Sequence, residues 1–265
     1  MGNAKGHCYR GGAWPLQVTT VASPSSSTAN FHALGRWPSS TIRAQVKDVA
    51  SSSPFIRVLL GYKLPLISLR PLVILSYTTQ SNPEHSCIIN GEVEALLRKG
   101  AVEEVRLSLG YYSKMFVVLK DGGWGPIINL KRLNTYLVPL HFWMDTPRNV
   151  ALLLRPGNWT ALIDLKDTYF HVPVDCRFHR LLRFGWQGKL YQYRVFPFGL
   201  CLASWVFTFL TTTLKKWLRA RGVRVVFYLD DILVVGQSEA ECAANLKMAL
   251  KLLQEVSFIT NWGKS

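Results

Sequence analysis

Two β-branched runs with a pair of acids between them set the strongest limit on what this chain can fold into. Val223 to Leu229 and Ile232 to Val235 read as strands, and Asp230-Asp231 between them read as the tip of a hairpin. A second apolar strand, Thr160 to Ile163, runs into Asp164. Acids at the mouth of a sheet escape full burial while sitting on rigid backbone. Clustered carboxylates repel one another unless a cation joins them. Hard oxygen ligands select Mg²⁺ or Mn²⁺ over zinc. Two such ions about 3.5–4 Å apart can activate a hydroxyl and stabilise a phosphate leaving group. Each acid taken alone has a plainer reading: Asp is favoured in hairpin turns, and Asp164 would serve as a helix N-cap.

The remaining pattern is of short hairpins alternating with helices. Met115 to Leu119 and Pro126 to Leu130 flank the turn Lys120-Asp121-Gly122-Gly123. Leu181 to Phe184 and Leu190 to Val195 flank Gly185-Trp186-Gln187-Gly188. Val93, Leu96, Leu97 and Val102 form an apolar stripe on a short helix ending near Gly100. Pro147 to Leu154 starts a helix with Pro in its first turn, and residues 203–220 suit another. Ser238 and Glu241 make a capping box. Beyond it Cys242, Leu246, Ala249, Leu250, Leu253 and Val256 share one helix face. This order predicts an α+β fold with helices on one face of an antiparallel sheet, spanning residues 90–265. Residues 55–90 are expected as an extended lead-in. Residues 1–54, rich in Ser, Thr, Gly and Ala, are expected to be disordered or low-complexity.

Composition narrows the partners. Thirty-one Lys and Arg against 16 Asp and Glu give a formal net charge of +15, which suits a polyanion such as nucleic acid, although plain basicity for solubility has the same signature. The five cysteines lack C-x-x-C or zinc-finger spacing, so they read as reduced thiols of an intracellular protein, cytoplasmic or nuclear. Met1-Gly2-Asn3 opens no apolar signal region, and Gly6 stands where a myristoylation motif wants Ser or Thr. The apolar stretch Phe55 to Tyr77 is broken by Arg57, Lys63, Pro65, Arg70 and Pro71, so no membrane partner is expected.

In order along the chain, these segments resemble the reverse transcriptases. Ala161-Leu162-Ile163-Asp164-Leu165-Lys166-Asp167-Thr168-Tyr169-Phe170 resembles the family's first catalytic motif. Phe196-Pro197-Phe198-Gly199-Leu200 resembles its template- and nucleotide-contacting motif, and Phe227-Tyr228-Leu229-Asp230-Asp231 its Y-x-D-D box. Asn261-Trp262-Gly263-Lys264-Ser265 resembles the later motif that carries a lysine. Upstream, Lys120-Asp121-Gly122-Gly123-Trp124 and Ile128 to Asn134 resemble the fingers hairpin and the segment after it. Among subfamilies the spelling looks most like DIRS-like, tyrosine-recombinase retrotransposons, then gypsy-like elements.

The resemblance implies a fingers-and-palm polymerase using RNA or DNA template with primer, dNTP and two Mg²⁺ ions, with Mn²⁺ as a substitute. It implies that Asp164 and Asp230 hold both metals, with Asp231 in the same cluster and the backbone carbonyl of Leu165 facing a metal. Tyr169 would stack under the incoming sugar and exclude a 2′-hydroxyl. Phe198 and Gly199 would border nucleotide and template, Lys120 would lie over the triphosphate, and Lys264 would protonate the leaving pyrophosphate. Oligomeric state is left open.

Three positions depart from the family's pattern. Gly125 stands where an arginine usually clamps the triphosphate, Ser204 where proline is usual, and Ser257 where glycine is usual. The chain stops at Ser265, so a primer-grip hairpin and thumb are expected to be absent from this polypeptide. Two other readings stay open: a decayed nucleic-acid-binding remnant, and a metal-dependent nuclease, which would leave Tyr169 and Lys120 without a role.

Overall fold

The computed structural model describes residues 17–18, 53–67, 82–120, 123–141 and 147–265. Strand β1 (Gln17–Val18) and helix α1 (Ser53–Leu60) precede helix α2 (Pro83–Arg98). Short strands follow: β2 (Val102–Val105), β3 (Tyr112–Ser113), β4 (Met115–Lys120) and β5 (Gly123–Ile128). Helices α3 (Lys131–Asn134) and α4 (Pro147–Leu153) lead to β6 (Trp159–Asp164). A 3₁₀ turn at Thr168–His171, helix α5 (Cys176–His179) and the hairpin β7 (Arg183–Trp186)–β8 (Lys189–Tyr193) come next. Helix α6 (Ala203–Arg219), β9 (Arg224–Tyr228), β10 (Asp231–Gly236) and helix α7 (Glu239–Glu255) complete the fold.

The central sheet runs β1-β6-β10-β9, and its pleat separates two functions. Ala161, Ile163, Val225, Phe227, Ile232 and Val234 all point to one face and are buried there, where α6 packs on β9 and α7 on β10 and β6. Burying each of the Val, Ile and Phe side chains contributes about 1.5–3 kcal/mol. The opposite face carries Asp164, Asp231, Leu162 and Tyr228, the last two 45% and 46% exposed. Helix α7 comes so close to the sheet that a Cβ on Gly236 would overlap the backbone of Cys242. Its N-terminus is capped as expected: Ser238 Oγ accepts from Glu241 N–H at 3.2 Å. The Glu241 carboxylate reaches back to the N–H of Gln237 at 2.9 Å, one residue beyond the usual partner, the N-cap itself. At its other end Ser257 takes φ 59°, the left-handed position that favours glycine in this kind of cap.

The expected α+β class, an antiparallel sheet with helices on one face, is seen in β6-β10-β9 under α6 and α7. Beside it β2-β8-β7-β3 and β4-β5 form separate sheets, and β1–β6 and β3–β7 add short parallel pairings. Two details upstream differ from expectation. Residues 55–90 are helical at both ends of the stretch. Asn82 Oδ1 accepts from Glu84 N–H at 2.9 Å ahead of Pro83, so α2 begins well before Asn90. Helix α1 buries Phe55, Val58 and Leu59, at helical spacing, in the common core. Within the segment expected to be disordered, Gln17–Val18 pairs with the free edge of β6, where unpaired backbone groups invite a strand. The rest of residues 1–52 lies outside the described residues, as do residues 68–81 and the turn residues Asp121 and Gly122. No helix among the described residues is long and apolar enough to cross a membrane.

One buried ring joins the loop after β6 to the segment after α7. His171 is completely buried, stacked on Phe258 at 4.8 Å, and donates from Nε2 to the carbonyl of Lys166 at 2.9 Å. Burial lowers its pKa to about 4, against opposing contributions from the Lys166 carbonyl and Asp167. The folded chain therefore keeps a neutral ring where the unfolded chain, near 6.5, binds a proton. The stability this contributes is complete above pH 6.5 and is lost as pH falls toward 4, by up to about 3 kcal/mol. We expect urea midpoints to fall between pH 7 and pH 5, and the slope to flatten in His171→Gln. An unchanged slope in that variant would remove His171 as the cause.

Candidate active site

The hairpin β9–β10 turns as tightly as a chain can. Tyr228 pairs with Asp231, which leaves only Leu229 and Asp230 to reverse direction. Leu229 takes φ 52°, a left-handed conformation that costs a branched residue about 1–2 kcal/mol and that glycine usually fills in such turns. The turn is braced from outside: the Asp230 carbonyl accepts the N–H of Leu165 at 2.9 Å, tying the hairpin tip to the residue just past β6.

Asp231 lies directly opposite Asp164 in the antiparallel register, and both belong to the face left open by the helices. Opposed residues of this kind sit about 4.5–5.5 Å apart at Cα. The Asp231 carboxyl is raised above the usual carboxylate range. Lost hydration at the sheet mouth is the first cause, the charges of Asp230 and Asp164 add to it, and Lys264 opposes it. Asp164, Asp230, Asp231 and Lys264 thus share one electrostatic neighbourhood. Lys264 is brought there by a turn in which its N–H and that of Ser265 both donate to the carbonyl of Asn261, at 3.0 and 3.1 Å. Leu165 is buried, and its carbonyl accepts one long bond, 3.4 Å, from Thr168 Oγ1.

The donor set fits a hard divalent cation held jointly with a substrate. Among the described residues, no three acidic, imidazole or thiol groups converge tightly enough to cage an ion by themselves. Mg²⁺ does not need such a cage; it is commonly bound by one or two carboxylates plus waters and phosphates. After lost hydration, the charges of Asp230 and Asp164 add to the rise at Asp231, and that mutual repulsion is what a cation would relieve.

A second group lies one 3₁₀ turn further on. The Tyr169 ring stands against Phe198 at 5.1 Å and Phe207 at 6.1 Å, and its hydroxyl bonds Ser204 Oγ at 2.8 Å. Phe198 is 49% exposed beside Gly199, whose φ of 92° explains the glycine. Space is not the reason, since a Cβ there would make only ordinary contact with the Ile128 carbonyl. Asn134 holds this turn from α3: its amide donates to the Gly199 carbonyl at 2.9 Å, and its Oδ1 accepts from Cys201 N–H at 3.0 Å. Lys99, at the end of α2, ion-pairs with Asp167 at 2.7 Å and so fastens the loop between Asp164 and Tyr169.

Sequence reasoning assigned no role to Asn134, Lys99, Ser204 or Asn261. Asn134 and Asn261 were visible as letters of longer motifs, while nothing near Lys99 signals its partner. Lys120 closes β4 opposite Gly123, and the reach of its side chain falls outside the described residues. Gly125 pairs with Val118 in the same hairpin.

Residues 118–265 match the family model described as reverse transcriptase (RNA-dependent DNA polymerase). The chain is 26% identical over 176 residues to the transposon Tf2-3 polyprotein of Schizosaccharomyces pombe and 25% identical over 176 residues to the Tf2-7 polyprotein of the same organism. Each alignment covers 66% of this chain but 13% of the relative, so the chain spans a small part of those polyproteins. The fold is similar to the crystal structure of prototype foamy virus protease-reverse transcriptase, with a TM-score of 0.57 and 20% identity over 77% of this chain and 26% of that one. With more than half of its length matched by that model, the chain belongs to the reverse transcriptase (RNA-dependent DNA polymerase) family.

Proposed function

We propose that this chain is the fingers and palm of an RNA-directed DNA polymerase encoded in a retrotransposon polyprotein, transferring a nucleotidyl group from dNTP to a primer 3′-hydroxyl. The observation that carries the reading is the pairing of Asp164 with Asp231 beside the Tyr169–Phe198 wall. In this reading Asp164 and Asp230, with Asp231 beside them and the Leu165 carbonyl, hold two Mg²⁺ ions, or Mn²⁺. Such ions, when bound, sharpen the attacking hydroxyl and neutralise charge on the leaving pyrophosphate.

The chain's own residues do the rest. Leu229 and the Asp230–Leu165 bond keep the acids from drifting as substrate arrives. Tyr169, tethered at its hydroxyl, presents a flat wall to the sugar and leaves no room for a 2′-hydroxyl. Phe198 and Gly199 border the nucleotide and the template, Lys120 lies over the triphosphate, and Lys264 supplies a proton to the leaving group. Exposed Leu162 and Tyr228 give the acid-bearing face an apolar floor for primer and template. The +15 charge favours their phosphates. The motif spelling supports a DIRS-like lineage, with a gypsy-like one next.

Primer extension on a homopolymer template with Mg²⁺ or Mn²⁺ tests this directly. We expect dNTP incorporation that disappears in Asp230→Asn; incorporation no greater than in that variant would sink the claim of activity. A second reading, a non-catalytic nucleic-acid-binding remnant, is favoured by Gly125 alone, since glycine supplies neither charge nor donors for a triphosphate. It expects salt-sensitive hybrid binding that Asp230→Asn leaves unchanged, and template-dependent incorporation rules it out. Restoring the cation tests what the glycine costs. Gly125→Arg is expected to lower KM for dNTP about tenfold, the smaller end of what a charge-assisted hydrogen bond contributes. Steady-state kinetics showing an unchanged KM would mean that the position does not face the triphosphate.

A further inference from the structure

Asp164 is gripped from one side by a single turn of chain. Asn261 Nδ2 donates to Asp164 Oδ1 at 2.7 Å, and Asn261 N–H donates to the Asp164 carbonyl at 2.8 Å. Asp164 N–H donates to Ser265 Oγ at 3.0 Å, and that hydroxyl donates onward to the Asn261 carbonyl at 2.9 Å. Every backbone polar group of Asp164 and one carboxylate oxygen are therefore occupied by the segment Asn261–Ser265. The other oxygen, Oδ2, has no bonded partner among the described residues.

The chemistry of the gripping group matters. A carboxamide is a neutral donor: it fixes the rotamer of a carboxylate without bringing a positive charge that would compete with a metal ion. The nearby cation, Lys264, lowers the Asp231 carboxyl, and no hydrogen bond or ion pair joins its side chain to Asp164 among the described residues. Because the backbone of Asn261 is also bonded to Asp164, the amide reaches its target from a fixed base.

We infer that Asn261 is a positioning residue for Asp164, holding Oδ1 so that Oδ2 is presented to a divalent cation on the open face of the sheet. The inference rests on the polymerase-site reading above and deepens it. Partners that orient a metal-binding group typically set metal affinity by 10–100-fold.

The test is Mn²⁺ titration of the full chain, followed by electron paramagnetic resonance of free Mn²⁺, in wild type, Asn261→Leu, Asp164→Asn and the double variant, with thermal unfolding measured alongside. We expect Asn261→Leu to weaken Mn²⁺ binding about tenfold in the wild-type background and to have no effect once Asp164 is Asn. Asp164-dependent binding that Asn261→Leu leaves unchanged, or weakens equally in both backgrounds, overturns the inference while leaving the metal site standing. If wild type shows no Mn²⁺ binding that depends on Asp164, the polymerase-site reading fails, and the inference fails with it. Should the leucine variant not fold, Asn261→Ala, which keeps the backbone bonds, is read in the same way.

Discussion

Antiparallel pairing of β6 with β10 sets Asp164 across from Asp231, and the two-residue period of a strand then assigns every other side chain in both strands to a face. Ile163 and Ile232 go inward, and so do Ala161 and Val234; Leu162 and Leu233 go outward with the acids. A slip of either strand by one residue would turn that strand's acid toward the helices and its isoleucine outward. The core and the candidate site therefore depend on the same alignment, and neither can be changed without the other. The short reversal at Leu229-Asp230 sets the register of β9 against β10, and the bond from Leu165 N–H to the Asp230 carbonyl at 2.9 Å ties that turn to the end of β6.

What was legible in the chain follows from how local each cause is. The β9–β10 hairpin, β6 and the helices α6 and α7 could be read because β-branched runs, helical periodicity and a Ser238–Glu241 cap act over a few residues. Helix α1 could not, because its apolar Phe55, Val58 and Leu59 make sense only against a core supplied from elsewhere. Strand β1 was illegible for a similar reason: two residues gain strand geometry only from the edge of β6. The acids stood out as spelled motifs. The groups that brace the neighbouring loops did not, since Lys99 meets Asp167 across 68 positions and Asn134 meets Gly199 across 65.

The departures from the family's pattern also take on different weights. Ser257 occupies a left-handed cap position, so its cost is local backbone strain at the end of α7. Ser204 is not merely a lost proline, because its hydroxyl engages Tyr169 and changes what constrains that ring. Gly125 removes charge from a hairpin whose backbone pairing with Val118 is otherwise regular. One departure is absorbed at a helix end, one adds an interaction, and one leaves the hairpin's backbone pairing intact.

Asp164 and the residues that grip it are separated by 97 positions at Asn261 and 101 at Ser265. Loop-closure cost grows only slowly with length, and pairing of β6 with β10 already brings the two ends of that loop close together. Once the sheet has paired, the clamp on Asp164 forms with little further entropic cost, so the step that builds the core also orders the acid.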